Sequence, residues 1–465
     1  MVYLLDICVL NPFFHPYKGG TEKVLLEVYR RLAKRHNITV ITSADRSSNH
    51  YSVEEVMGIR VVRLRSLHEH IPIFPMPFLF FDGLVKELRK ADCDIYHINN
   101  RYQFFEDTVR TVKGMDRKLA LTIHNAKPKN ISQLTDDMGR FYDWLWGRKL
   151  MHAADVITGV SEYTIRSTVP SIDRGRTHLV YNGVDCNVFM RRSGREIEHT
   201  ERHLGFKSGS TIVTNGRLAQ QKGHVYLIKA VSELVRKGED INLLIIGGGP
   251  LKRQLTEYAR DLGMHDRFRI IYGLDDVGVM RHYNASSMFV LPSLYEPAGL
   301  ALLEAMACEL PSIASRTGGI PEIMGDDGLY ARPKSSNSIM KKISYVLDNR
   351  GSALKRARRG RMRMIRRFNW DRIAKHYYEP VQLHELHYRQ RAVGGARGQV
   401  YYQIIQLPPV CILKEVPYHL DYHWASPYYR PAGIVDNHRC RGYPHPVLHE
   451  RLEREPRGIH PIPYA

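Results

Sequence analysis

The segment that decides the fold is residues 291–307, which reads LPSLYEPAGLALLEAMA. It follows directly from the apolar run 288–291, and beyond Gly299 it continues as a stretch rich in Leu and Ala. A short apolar run bounded by turn residues is typical of a buried strand, and the longer stretch is typical of a helix. The segment therefore predicts one strand-turn-helix unit, with Glu296 and Pro297 in the turn.

The same unit repeats on both sides of this segment. Around it, the sequence predicts strands at 211–215, 241–246, 268–272, 288–291 and 311–314, with helices that begin near Gly223, Leu251, Asp275, Gly299 and Ser336. Strands that alternate with helices indicate a mostly parallel sheet with right-handed crossovers.

The first part of the chain has the same alternation. Its predicted strands are 3–10, 38–42, 59–65, 94–98, 118–124, 155–161 and 177–181, and 21–35 has the spacing of an amphipathic helix. The pattern stops at 182–185, and a charged stretch without a clear period, 191–202, precedes the second half. We therefore predict an α/β protein with two facing Rossmann-like domains and a ligand-binding cleft at the carboxyl ends of their strands.

Composition limits the function class without deciding it. The chain has 43% hydrophobic and 25% charged residues, as packed globular proteins do. Its formal charge of +20 suits an anionic partner, whether nucleotide, nucleic acid or membrane. The N-terminus lacks the features of a secretory signal, and the proline-interrupted apolar run 71–81 is too short to cross a bilayer. We expect a cytoplasmic protein.

The turns after the predicted strands carry residues suited to a phosphorylated ligand. Gly19 and Gly20 precede the first helix, where a backbone without side chains lets an anion approach the helix N-terminus. Arg217 and Lys222 follow the first strand of the second half, and their cations suit a diphosphate. Taken alone, the glycines also fit a tight turn and the cations a solvated surface.

Two carboxylates belong to the deciding segment. Glu296 lies just before a helix that Pro297 opens, where free N–H groups can hold phosphate oxygens. Glu304 lies about two turns further on in an apolar run, so its charge needs a partner. A ribose diol would supply two hydroxyl donors; a local base or solvent is the alternative.

Several ordered motifs together resemble glycosyltransferase family 4, the retaining sugar-nucleotide transferases of the two-Rossmann-domain GT-B fold. The resemblance covers residues 3–385 and rests on Gly19-Gly20, 123–125, 160–161, 181–185, Arg217 with Lys222, 246–250, 296–304 and 318–322. It implies transfer of a sugar from a nucleoside diphosphate sugar to a hydroxyl acceptor, with retention of anomeric configuration. The donor is then a co-substrate. Because no Asp-x-Asp pair stands at the carboxyl end of a predicted strand, we expect that no metal or other cofactor is needed.

Residue roles follow from the resemblance. Arg217 and Lys222 would hold the donor diphosphate, and Glu304 would bind its ribose. The implied catalytic residues are His124, Arg217, Lys222 and Glu296, and the implied donor-binding residues are Gly19, Gly20, Arg217, Lys222, Gly248, Glu296, Ala298, Gly299, Leu300 and Glu304. Ala298 stands where the family frequently has Phe, which bears on donor preference and removes no charged group.

These patterns predict five segments along the chain. They are a first, acceptor-side domain over 1–185, a linker over 186–209, a nucleotide-sugar-binding domain over 210–369, a closing helix over 370–391, and a tail rich in Pro, Tyr, His and Arg over 392–465. The expected acceptor is a glycan, a lipid-linked sugar or a small molecule. The arginine-rich block 355–367 fits either a solvated helix face or docking to an anionic membrane. A non-catalytic sugar-nucleotide-binding protein and a basic nucleic-acid-binding protein are the alternative functions; a nucleic-acid partner is not expected.

Overall fold

The structure is a computed structural model that describes residues 4–17, 19–44, 49–69, 78–101, 105–127, 133–206, 208–326 and 328–377. The predicted tail, residues 378–391 of the predicted closing helix and most of the apolar run 71–81 lie outside the described residues.

The first domain is built around a parallel sheet. Its strands are β1 (Asp6–Leu10), β2 (Asn37–Ser43), β3 (Ser52–Val56), β4 (Ile59–Leu64), β5 (Ser66–Glu69), β6 (Phe78–Phe81), β7 (Ile95–Asn99), β8 (Lys118–Ile123), β9 (Val156–Gly159) and β10 (Thr177–Leu179). The order across the main sheet is β10-β9-β8-β7-β1-β2-β4-β3, and within this sheet, as far as the structure describes it, only the β3–β4 pair is antiparallel. The remaining two strands, β5 and β6, form a separate antiparallel pair.

Helices connect these strands. They are α1 (Gly20–Leu32), α2 (Leu84–Ala91), α3 (Phe105–Gly114), α4 (Gln133–Tyr142), α5 (Arg148–Ala153) and α6 (Glu162–Thr168), and a π-helical turn, Asp143–Gly147, joins α4 to α5. Strand β7 is buried along its whole length, as a central strand covered by helices on both faces must be.

The second domain repeats the plan. A helix of the connecting segment, α7 (Arg195–His203), leads to strands β11 (Ser210–Asn215), β12 (Ile241–Ile246), β13 (Phe268–Ile271), β14 (Met288–Leu291), β15 (Ser312–Ser315) and β16 (Leu329–Ala331). They form a parallel sheet in the order β13-β12-β11-β14-β15-β16. Its helices are α8 (His224–Arg236), α9 (Lys252–Asp261), α10 (Asp276–Asn284), α11 (Leu300–Ala307), α12 (Ile320–Met324), α13 (Ser336–Asp348) and α14 (Arg350–Arg367).

The chain then returns to the first domain. Residues 370–377 are helical, and Trp370, Ile373 and Tyr377 are buried in the apolar core beneath the first sheet. The hydroxyl of Tyr377 donates a hydrogen bond to Thr122 Oγ1 of β8 at 3.0 Å. This crossing fastens the end of the second domain to the first.

The predicted α/β class with two Rossmann-like domains is confirmed. The charged stretch that showed no clear period contains helix α7, which is a correction to the sequence interpretation. The buried residues of α7 are Ile197 and Thr200, of which only Ile197 is apolar. One buried apolar residue is too few to produce a helical period in the hydrophobic pattern. Among the described residues, no helix combines the length and apolar character that crossing a bilayer requires.

The arginine-rich block 355–367 lies within α14. Two of its arginines turn inward: Arg361 donates to the carbonyl of Phe189 at 3.1 Å, and Arg363 donates to the carbonyls of Ile323 and Glu322 at 2.7 and 2.9 Å. These guanidinium groups bind backbone oxygens of the second domain, whereas Arg358, Arg359, Arg366 and Arg367 are exposed. The block is therefore divided between packing and solvent.

Candidate active site

The candidate site lies where the carboxyl ends of the two sheets meet. On the first-domain side, Gly19 and Gly20 form the start of α1, and Gly19 has extended backbone. Leu300 is the first residue of α11 in the second domain, and a methyl group at Gly20 would lie 3.5 Å from its Cδ1 atom. The glycine turn and the α11 N-terminus therefore face each other at van der Waals distance.

Lys222 and Glu296 form an ion pair on the second-domain side. Lys222 Nζ lies 2.7 Å from Glu296 Oε2, and the Lys and Glu side chains are 20% and 8% exposed. Glu296 also accepts hydrogen bonds from Ser293 Oγ at 3.0 Å and from the Gly299 N–H at 3.3 Å. The carboxylate thus holds the Lys222 ammonium next to the N-terminus of α11.

The turn between Glu296 and α11 depends on glycine. Gly299 has φ of 55°, which is costly for a residue with a side chain, and Ala298 beside it is buried. The first bonds of α11 run from the N–H groups of Leu302 and Leu303 to the Gly299 carbonyl. The N–H of Leu300 precedes these bonds, at the helix end where an anion is stabilised.

Arg217 follows β11 and is exposed at the edge of the site. Its loop packs on the glycine run after β12, where the Leu218 N–H donates to the Gly248 carbonyl at 2.8 Å. Burial raises the pKa of Glu22, and the charge of Arg217 acts in the opposite direction. Since Glu22 belongs to the first turn of α1, this interaction crosses between the domains.

Glu304 is buried on α11 and pairs with Lys23, a residue the sequence did not single out. Lys23 Nζ lies 2.6 Å from Glu304 Oε1 and 2.7 Å from Asp276 Oδ1. Burial raises the pKa of Glu304, and Lys23 partly offsets this effect. The required partner of this carboxylate is therefore a cation of the other domain and not a local base.

His124 lies directly after β8 and is buried. Its Nε2 lies 3.1 Å from Asn99 Oδ1, which assigns the ring proton to Nε2, and Nδ1 has no hydrogen-bond partner among the described residues. Burial lowers the pKa of His124 to about 3, so the ring is neutral near pH 7. The neutral imidazole therefore keeps one nitrogen lone pair that has no partner among the described residues.

Two contacts outside the predicted site residues join the domains beside it. The Tyr295 hydroxyl of the second domain donates to the Ala126 carbonyl at 2.5 Å, two residues after His124. The Glu322 carboxylate accepts from the N–H groups of Glu162 and Tyr163, at 2.7 and 2.9 Å, and so caps α6. Neither pairing could be predicted from the sequence, because each side chain alone is an ordinary polar residue.

Gly318 and Gly319 complete the floor of the Glu296 turn. Gly318 has φ of 57°, and a side chain there would overlap the Glu296 carbonyl; the Gly319 N–H donates to that carbonyl at 3.0 Å. The motif 318–322 therefore supports the Glu296 turn with its glycines and the first domain with Glu322.

Two family models match the chain, one for each half. The family described as glycosyl transferases group 1 matches residues 196–363, and glycosyltransferase family 4 matches residues 18–188. The two halves occur here in one chain that has both Rossmann-like domains. The chain belongs to the group 1, family 4 glycosyltransferases. This glycosyltransferase has the GT-B fold that its sequence motifs predicted.

Curated relatives of this glycosyltransferase have varied names. An uncharacterized glycosyltransferase of Methanocaldococcus jannaschii is 25% identical over 69% of this chain and 84% of its own length. A GDP-mannose-dependent phosphatidylinositol monomannoside mannosyltransferase of Mycobacterium tuberculosis is 26% identical over 78% of this chain and 94% of its own. Spore coat protein SA of Bacillus subtilis is similar at 26% over 77% and 93%.

Solved structures agree on the fold of this glycosyltransferase. Sucrose-phosphate synthase from Thermosynechococcus elongatus superposes with a TM-score of 0.64 at 20% identity, over 83% of this chain and 99% of that one. Anabaena Alr3699/HepE, solved in complex with UDP and glucose, gives a TM-score of 0.65 at 18% identity, over 81% and 99%. At these identities the likeness concerns the architecture.

Proposed function

We propose that this glycosyltransferase moves a sugar from a nucleoside diphosphate sugar to a hydroxyl acceptor, with retention of anomeric configuration. The observation that carries the proposal is the Lys222–Glu296 ion pair at the N-terminus of α11, opposite the Gly19-Gly20 turn. A fixed cation, a helix N-terminus and a backbone turn without side chains are together suited to a diphosphate.

In this mechanism the bond between the anomeric carbon and the diphosphate oxygen breaks, the acceptor oxygen bonds to the same carbon, and the proton of the acceptor hydroxyl passes to the departing diphosphate. Negative charge develops on the departing nucleoside diphosphate, where Lys222 and Arg217 stabilise it. Preorganised charge of this kind is usually the largest single contribution to catalysis. The donor-binding residues are those that the family resemblance implies, with the backbone N–H groups around Ala298, Gly299 and Leu300 at the diphosphate and Glu304 at the ribose.

His124 serves the acceptor side. A neutral imidazole with its proton on Nε2 leaves Nδ1, which is buried and has no hydrogen-bond partner among the described residues, as the acceptor for a sugar or acceptor hydroxyl that enters the site. Its position two residues from the Tyr295 contact puts it next to the second domain. One relative is named for GDP-mannose, and one structure of the same fold was solved with UDP and glucose; both support a nucleotide-linked donor. The acceptor that we propose is a glycan, a lipid-linked sugar or a small molecule.

The test uses purified full-length protein and a panel of UDP-, GDP- and ADP-linked sugars. We expect one nucleoside diphosphate to raise the melting temperature, since a ligand at 100 times its Kd adds about 2.7 kcal/mol of stability. Release of that nucleoside diphosphate from its sugar conjugate then reports turnover, and the anomeric proton coupling of the product reports its configuration. A folded protein that neither binds nor turns over any donor would refute the proposal.

A further inference from the structure

Lys23 of the first domain reaches into the predicted donor site. It lies one turn into α1, but its ammonium contacts two carboxylates of the second domain, Glu304 at 2.6 Å and Asp276 at 2.7 Å, and lies 4.9 Å from the centre of the Phe189 ring. We call the set of Lys23, Glu304 and Asp276 the Lys23 bridge.

The Lys23 bridge places a cation beside a carboxylate whose charged form burial disfavours. The side chain of Glu304 is 9% exposed, and that of Lys23 is 26% exposed. Burial works against the charged form of Lys23, but Glu304 and Asp276 outweigh it and raise the pKa of the ammonium above its usual value. A buried carboxylate without such a partner would be costly.

The two oxygens of Glu304 are used unequally. Lys23 occupies Oε1, whereas Oε2 has, among the residues that the structure describes, only the Tyr283 hydroxyl at 3.4 Å. That hydroxyl accepts a hydrogen bond from Asn215 Nδ2 at 2.9 Å, which fixes its position. A diol that donates one hydroxyl to each oxygen of Glu304 approaches Oε1, where the Lys23 ammonium already lies at 2.6 Å.

We propose that Lys23 competes with the donor ribose for Glu304 and thereby sets the affinity of the enzyme for nucleoside diphosphates. The inference rests on the proposed assignment of Glu304 to the ribose. The Lys23 bridge joins the two domains across the predicted donor site. When the donor binds, Lys23 gives up Glu304 Oε1 and stays with Asp276, which is itself half-exposed. Lys23 is therefore a positioning residue and not a catalytic one.

Removal of the Lys23 ammonium should strengthen donor binding, because the ribose no longer has to displace it. We expect Lys23→Met to lower the Kd of a ribonucleoside diphosphate about fivefold, the scale of a partly exposed ion pair. Lys23→Arg keeps the competing charge and should stay close to the wild-type Kd. The KM for the donor sugar should fall in Lys23→Met while kcat stays within about twofold.

The experiment is calorimetric titration of the full-length protein with UDP, GDP and ADP and with their 2′,3′-dideoxy counterparts. The dideoxy ligands lack the two hydroxyls from which Glu304 would accept hydrogen bonds, so Lys23→Met should leave their Kd unchanged. Lys113→Met is the matched control. It also removes a lysine from a 2.7 Å ion pair, with Asp155, but at the amino end of β9, away from the site. Lys23→Gln serves as a second variant should the methionine variant fail to fold.

The outcomes separate the inference from the function on which it rests. A Kd that rises or does not move in Lys23→Met, with the wild type still preferring ribo over dideoxy ligands, would overturn the competition and leave the donor class intact. Equal affinity of the wild type for ribo and dideoxy ligands would overturn the ribose assignment of Glu304. A wild type that binds no nucleoside diphosphate would overturn the proposed donor itself.

Discussion

Replacement of Lys222 by Met should damage both stability and catalysis, and the two effects can be separated. Lys222 is mostly buried and its partner Glu296 is nearly fully buried. Breaking a fully buried pair from one side costs about 3–5 kcal/mol. Because Glu296 keeps its bonds from Ser293 and Gly299, we expect a loss of about 2 kcal/mol, or about 4–8 °C in melting temperature for a domain of this size.

The catalytic effect should be larger. If Lys222 stabilises the departing diphosphate, its loss should lower kcat about 10²- to 10³-fold. The double variant Lys222→Met/Glu296→Gln removes the unpaired buried charge, so it should regain part of the lost stability and none of the activity. Thermal unfolding and donor turnover measured on the same preparations provide both readouts. Recovery of activity together with stability in the double variant would show that Lys222 serves only to neutralise Glu296.

Two further predictions concern the scaffold. Trp370 is buried in the first-domain core, so Trp370→Ala should lower the free energy of unfolding by about 3–5 kcal/mol, measured by urea denaturation. A loss below about 1 kcal/mol would mean that the return of the chain to the first domain contributes little to stability. Burial lowers the pKa values of His97 and His124 to about 3, whereas histidines of the unfolded chain have a pKa near 6.5. Between these two pH values the unfolded state binds more protons than the folded state does. The free energy of unfolding should therefore fall as the pH drops below about 6.5. The slope should be about 1.4 kcal/mol per pH unit for each histidine, and His97→Asn should reduce it; an unchanged slope would contradict the assignment.

Much of the fold follows from local pattern. The strands at 241–246 and 288–291 and the start of α8, α9, α10, α11 and α13 lie where the sequence predicts them, to within one residue. The hydrophobic pattern of a segment shows which of its residues are buried, so it predicts single helices and strands well. Strands β3, β5, β6 and β16 were missed because they are short, and β3 is largely exposed.

The candidate site divides along the same line. The glycine turns, Arg217, Lys222 and the carboxylates of the deciding segment are visible in the sequence because they occupy strand ends and helix starts. The roles assigned to them stay predictions, which the assays above address.

The sequence by itself determined that the chain alternates strands and helices in two halves, and it marked the turns that carry glycine, cations and carboxylates. Only the tertiary structure decided which side chains meet between the halves. Lys23 and Glu304 lie 281 residues apart, and Glu322 caps a helix 160 residues before it. The hydrophobic period of a segment shows which residues that one element buries. Contacts between the domains pair polar side chains from distant parts of the sequence, and which of them pair is determined only when both domains are folded.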